Sequence, residues 1–193
     1  MTTESEAVPA RKKRGSWLRE LLETAVLALI IFLVVRVALQ NFRVQGDSMQ
    51  PNLHDGEYIL VNKVDYRFHA PSRGDVIVFK AVPAGEPDHD FIKRVIGLPG
   101  ELVQVKSHRV YINHRVLPES YIGPSYRAAY PFGPLRVPRD EYFVLGDNRN
   151  DSFDSSRWTG HWLPKSDIIG KAWISYWPPG DVSLFRTPSF SSR

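Results

Sequence analysis

The sequence predicts a mainly β protein carried behind a single apolar helix at its N-terminus. Three observations lead there. A long apolar run, Leu21–Leu39, contains only Glu23, Thr24 and Arg36 as polar residues. After residue 40 the pattern changes to short β-branched and aromatic runs separated by Pro, Gly, Asn and Asp clusters. No amphipathic helical period recurs in that part of the chain. With 193 residues, 42% of them hydrophobic and 24% charged, the chain can bury a real core in one principal domain with a small appendage.

In chain order, residues 1–16 read as a solvated basic arm with the run Arg11-Lys12-Lys13-Arg14. Residues 17–40 form the anchor. As a helix, Leu21–Leu39 extends about 28 Å, close to the thickness of a hydrocarbon core. Glu23 and Arg36 lie near its ends, where long side chains reach the interface. A cleavable signal sequence would be shorter and would end in small residues, which Val35-Arg36-Val37-Ala38-Leu39 does not supply. A buried soluble helix would show a polar face, which Ala25–Val35 lacks.

Residues 41–186 form the β-rich domain. Its strands are expected at Phe42–Gln45, Glu57–Val61, Asp75–Lys80, Phe91–Ile96, Glu101–Lys106, Arg109–Ile112, Glu141–Leu145 and Ile168–Trp177. Ser107-His108 joins two of them as a hairpin loop. A small insertion covers about 101–140, within which Pro118–Pro138 reads as a long excursion outside the core. The tail, 187–193, reads as frayed.

The net charge of +4 is uneven. Before residue 21 there are five basic and three acidic residues; from residue 41 onward, 19 basic and 17 acidic. Basicity confined to the arm points to a membrane surface and away from nucleic acid. It also predicts a cytoplasmic N-terminus, with everything after residue 40 on the far side of the membrane. The absence of cysteine excludes disulfides and thiolate metal sites.

Three stretches could carry chemistry. Gly46-Asp47-Ser48-Met49-Gln50-Pro51 begins a few residues after the anchor. Gly46 permits a backbone shape other residues resist, and Pro51 fixes the chain beyond the serine. Such a turn can hold the Ser48 hydroxyl outward, although serine in a Gly/Asp/Pro loop is commonly just a turn residue. A serine nucleophile needs a base. None of the six histidines, His54, His69, His89, His108, His114 and His161, lies in a recognisable catalytic context. Lys93 stands inside the apolar run Phe91-Ile92-Lys93-Arg94-Val95-Ile96. In a strand it shares a face with Phe91 and Val95, while Arg94 faces the other way, towards a structural ion pair. An apolar setting disfavours the ammonium and could bring Lys93 to a usable basicity; an exposed lysine is the plain alternative. The third stretch runs from Gly146-Asp147-Asn148-Arg149 through Ser152, Asp154 and Ser155. It lacks the ligand spacing of a calcium loop and reads as a supporting shell or a polar turn.

Taken in order, Gly46–Pro51, Arg73-Gly74-Asp75-Val76-Ile77-Val78-Phe79, the Lys93 run ending Gly97-Leu98-Pro99-Gly100-Glu101, and Gly146–Ser155 resemble bacterial type I signal peptidase. The match covers about residues 43–178. The resemblance implies a signal-peptidase-like β domain and a membrane-bound serine endopeptidase that removes signal peptides from exported preproteins. It implies Ser48 as nucleophile, Lys93 as general base, and Ser152 as the hydroxyl bonded to the lysine amine. Asp147 would pair with Arg94, and Asp154 would be a further structural acid. Substrate would lie as an extended strand against Val44, Gln45, Gly46 and Met49 on one side and Phe91 and Ile92 on the other. No cofactor or metal is implied, and the partners are signal peptides and the lipid bilayer.

The chain departs from the family pattern at Gly46, where some members carry a serine; backbone N–H groups, chiefly that of Ser48, would then form the oxyanion hole. Ser156 replaces a common arginine, so an Asp154–arginine contact would need Arg157. Thr159 separates Trp158 from Gly160. Two other readings stand beside the peptidase. One is a self-cleaving repressor using the same dyad, against which the anchor argues. The other is a non-catalytic anchored β domain that binds exported chains.

Overall fold

The computed structural model describes residues 16–190. The basic run Arg11–Arg14 and the last three residues lie outside them. Helix α1, Ser16–Ala38, is built from the apolar run and is long and apolar enough to cross a membrane. Its large apolar side chains, Trp17 to Val37, are all exposed.

The β domain contains twelve strands: β1 Leu39–Arg43, β2 Tyr58–Asn62, β3 Val76–Ala81, β4 Glu86–Gly97, β5 Leu102–Lys106, β6 Arg109–Ile112, β7 Arg115–Val116, β8 Phe132–Arg136, β9 Glu141–Leu145, β10 Leu163–Pro164, β11 Ile168–Trp177 and β12 Ser183–Leu184. The larger sheet runs β1-β2-β11-β3-β4-β9-β10, with β12 on β11. The smaller runs β7-β6-β5-β8, and its pairs are antiparallel throughout.

Strand β3 shows why the large sheet forms. It is buried on both faces, so its residues are apolar almost without break. Val76 and Val78 enter a core with Val44, Met49, Leu53, Ile59 and Val61. Ile77 and Phe79 enter another with Val95, Val144, Trp158 and Leu163. A third core joins the small sheet to β4 and β9 through Val103, Val110, Ile96 and Phe143.

Two segments differ from their sequence reading. Pro118–Pro138 is not outside the core: Ile122, Ala128 and Val137 are buried, and Phe132–Arg136 forms β8 against β5. Gly133 and Pro134 hide this strand from its sequence pattern, yet β8 lies at a sheet edge, where a missing N–H is tolerated. The described part of the tail is docked. Thr187 Oγ1 donates to Asp75 Oδ1 at 2.7 Å, and the Phe190 ring meets Tyr121 edge-on at 6.4 Å. Gly74, at φ +89°, makes room: a Cβ there would strike Pro188 and Phe190.

Phe79 is fully buried, with the rings of Trp158 at 5.8 Å and Phe91 at 6.3 Å. Phe79→Ala is expected to cost about 3–5 kcal/mol. Guanidinium unfolding of the detergent-solubilised protein, followed by tryptophan fluorescence, measures this as a lowered midpoint.

Candidate active site

Ser48 follows the end of β1 by five residues, in a turn closed by Gln50 N–H to the Asp47 carbonyl at 3.1 Å and Leu53 N–H to the Met49 carbonyl at 3.0 Å. Gly46 enters it at φ +77°, a left-handed conformation that glycine adopts without strain, and its N–H donates to Asp55 Oδ1 at 2.8 Å. Among the described residues the Ser48 N–H meets no protein acceptor.

Lys93 comes from β4, opposite Ile77 of β3. Its Nζ lies 2.8 Å from Ser48 Oγ, in hydrogen-bond contact across 45 residues of chain. Lys93 is only 5% exposed, and the Phe91 ring, two residues earlier, lies 5.4 Å from the amine. Burial pushes its pKa down to about 8, against the opposing pull of Asp154 and Asp147. No histidine hydrogen-bonds Ser48: His54 contacts Glu57, and His108 and His161 meet backbone carbonyls.

Arg94 points the other way, as strand alternation requires. The antiparallel pairing of β4 with β9 sets Arg94 opposite Leu145, so the turn after β9 delivers Asp147 to it. The pair is bidentate, with Arg94 Nε to Asp147 Oδ1 at 2.8 Å and Nη2 to Oδ2 at 2.6 Å, in nearly complete burial. Burial alone would lower the arginine pKa, but the hydrogen bonds and charge of Asp147 reverse this and raise it. Arg94 Nη1 also donates to the Gly74 carbonyl at 2.8 Å.

The corner Gly146–Asn148 lies against the serine turn. Asn148 N–H donates to the Ser48 carbonyl at 3.0 Å. Gly146 must be glycine here, because a Cβ would run into Ser152 Oγ and the Ser48 carbonyl oxygen. Asp154 is fully buried; its Oδ2 accepts from Gly146 N–H at 3.0 Å and its Oδ1 from Ser156 Oγ at 2.7 Å. Ser156 thus serves Asp154 where an arginine was the expected partner. Arg157 instead donates to the Asn150 carbonyl at 3.0 Å. Ser152 Oγ is buried without a hydrogen-bond partner, so the bond expected between it and the lysine amine is not made.

A groove of about 550 Å³ opens beside Ser48 and Lys93. Val44, Gln45, Phe91 and Ile92 line it, together with Phe153. Gly46 and Met49 do not line it; Met49 is 1% exposed and packs in the core with Val44 and Leu53. Both flanking strands present free edges. β1 ends the large sheet, and β4 meets β9 only from Arg94 onward.

Three residues at the site, Asn52, Tyr121 and Glu119, were missed in the sequence. Asn52 Nδ2 donates to Asp147 Oδ2 at 2.8 Å and to the Tyr121 carbonyl at 3.0 Å. Arg94 stacks over the Tyr121 ring at 4.3 Å. Arg149 and Glu119 form a second buried ion pair at 2.5 Å. Arg149 belongs to the Gly146–Ser155 stretch and Asn52 directly follows Gly46–Pro51, but nothing local marks Glu119 or Tyr121.

Comparison with known proteins shows the family of the chain. The family model described as "Signal peptidase, peptidase S26" matches residues 18–177. A protein of Synechocystis sp. called a probable signal peptidase I-2 is 40% identical over 174 residues, 88% of this chain and 78% of its own. Signal peptidase I of Leptolyngbya laminosa is 39% identical over 97% of this chain and 93% of its own. Signal peptidase I of Bacillus amyloliquefaciens is 37% identical over 80% and 88%. From its anchor helix to the end of β11, the chain belongs to the signal peptidase family, peptidase S26.

Proposed function

We propose that this protein is a membrane-anchored serine endopeptidase that removes signal peptides from exported preproteins, with Ser48 as nucleophile and Lys93 as general base. The observation that carries the reading is the 2.8 Å contact between Lys93 Nζ and Ser48 Oγ at a lysine only 5% exposed. An amine in water holds its proton too firmly to act as a base near neutrality. Burial removes much of that preference.

In the reaction, neutral Lys93 Nζ accepts the hydroxyl proton as Ser48 Oγ attacks the scissile carbonyl carbon. The developing oxyanion meets the unengaged Ser48 N–H. As the C–N bond breaks, Lys93 returns its proton to the leaving amine, giving an ester between Ser48 and the signal peptide. Water, deprotonated by Lys93, then hydrolyses that ester and restores the serine. Substrate enters the groove as an extended strand, hydrogen-bonding along the free edge of β4 and the chain at Val44–Gln45. Asp147 holds Arg94, and Asp154 holds the Gly146 turn, so the two sides of the dyad keep their spacing. The anchor confines the site to the membrane face where signal-peptide junctions emerge, raising their effective concentration.

Three measurements test this reading. Ser48→Ala and Lys93→Ala are each expected to lower kcat for preprotein cleavage by about 10⁴-fold or more. Retained cleavage in both would leave only an anchored binding domain. The pH dependence follows from Lys93: below about pH 8 it is an ammonium and cannot accept a proton. Accordingly kcat/KM should climb as pH rises through about 8, and a profile flat across that range would exclude Lys93 as the base. Finally, with the N-terminus cytoplasmic, protease added outside sealed spheroplasts should digest the β domain; full protection would reverse the topology.

A further inference from the structure

The dyad and the Arg94–Asp147 pair leave one buried charge pair without a task. Glu119 and Arg149 are 30 residues apart, and their side chains are 5% and 1% exposed. Burying such a pair costs more than its attraction guarantees in return, so its value to a fold is not self-evident. Its other contacts point towards the reaction centre. Arg149 Nε donates to the Gly146 carbonyl at 2.9 Å, and Arg149 N–H donates to the carbonyls of Tyr126 and Asp147 at 3.1 Å each. Tyr121 Oη donates to Glu119 Oε1 at 2.9 Å while its ring lies under Arg94.

We propose that Glu119 is a positioning residue for peptide-bond cleavage, holding Arg149 on the Gly146 carbonyl and thereby fixing the corner that carries Asp147 and grips the Ser48 carbonyl. The corner has two loads. Through Asn148 N–H it sets the backbone of the nucleophile, and through Asp147 it sets Arg94, the neighbour of the base. Glu119 also keeps Arg149 from competing with Arg94 for Asp147. The charged and titratable groups facing Arg149 are Glu119, Tyr121, Tyr130, Asp147 and Arg94. Without the glutamate, Asp147 is the one carboxylate left among them. A guanidinium drawn to Asp147 would pull that carboxylate away from Arg94 and screen its charge from Lys93. A misplacement of about 1 Å at a reacting group costs roughly 10²-fold in rate.

This inference rests on the Ser48–Lys93 reading, and the experiment separates the two. The full-length enzyme in phospholipid vesicles is assayed on a preprotein, with kcat, KM and the pH profile measured alongside thermal melting. Glu119→Gln should lower kcat by about 10- to 100-fold with KM within about twofold, and move the acidic limb to lower pH. The direction follows because Asp147, once drawn towards Arg149, supports the Lys93 ammonium less. Glu119→Asp should recover part of kcat.

If Glu119→Gln does not fold, the double variant Glu119→Leu with Arg149→Met removes both charges. It should keep the acidic limb near that of the unsubstituted enzyme while kcat stays low. An unchanged kcat in either variant overturns the proposal. So does, in Glu119→Gln, a loss of rate that tracks the melting curve with the limb unmoved, since that marks a merely structural pair. If Ser48→Ala still cleaves, it is the dyad reading that fails, whatever Glu119 does.

Discussion

A lysine amine kept out of water is the constraint to which the rest of this domain answers. In the proposed reaction, Lys93 can approach the basicity that proton transfer needs only while apolar groups surround it and no carboxylate touches it. Both conditions are met by placing it in the middle of a strand, with Phe91 beside it and the serine hydroxyl as its contact. Asp147 and Asp154 act on it from a distance and oppose the effect of burial. Each is occupied elsewhere, Asp147 by Arg94 and Asn52, Asp154 by Gly146 and Ser156. Carboxylates with full hydrogen-bond complements need not turn to the amine.

This arrangement explains why so much charge is buried behind the dyad. Two arginines and their acids lie within one polar cluster, Arg94 with Asp147 and Arg149 with Glu119. Tyr121 joins them, its ring against one guanidinium and its hydroxyl on the partner of the other. Groups in one such network are interdependent, and removing any member leaves another charge uncompensated. The cluster ties the serine turn, β4 and the corner after β9 together.

Much of this was legible in the sequence, and the parts that were not have a common cause. The anchor, the eight main strands and the Ser48 and Lys93 runs each carry a local pattern. Alternation along β4 even separated Lys93 from Arg94 correctly, because strand geometry alone dictates it. Glu119 and Tyr121 carry no such pattern. Their meaning arises only when the segment from the small sheet folds back on Arg94 and Arg149, a contact between distant parts of the chain. Strand β8 was hidden for a different reason, since Gly133 and Pro134 interrupt the strand signal at an edge that tolerates them. Met49 shows the opposite error. The family resemblance put it beside the substrate, whereas the turn directs its side chain into the core.

The free edge of β4 carries one more consequence. An open strand edge is available to a neighbouring copy of the same protein, and flat exposed edges nucleate aggregation. Here the outer part of that edge reads Glu86-Pro87-Asp88-His89-Asp90, every residue exposed. Three acids repel an identical edge, and a proline withholds one N–H from any continuous ladder. Edges of this composition disfavour pairing between two copies of the chain.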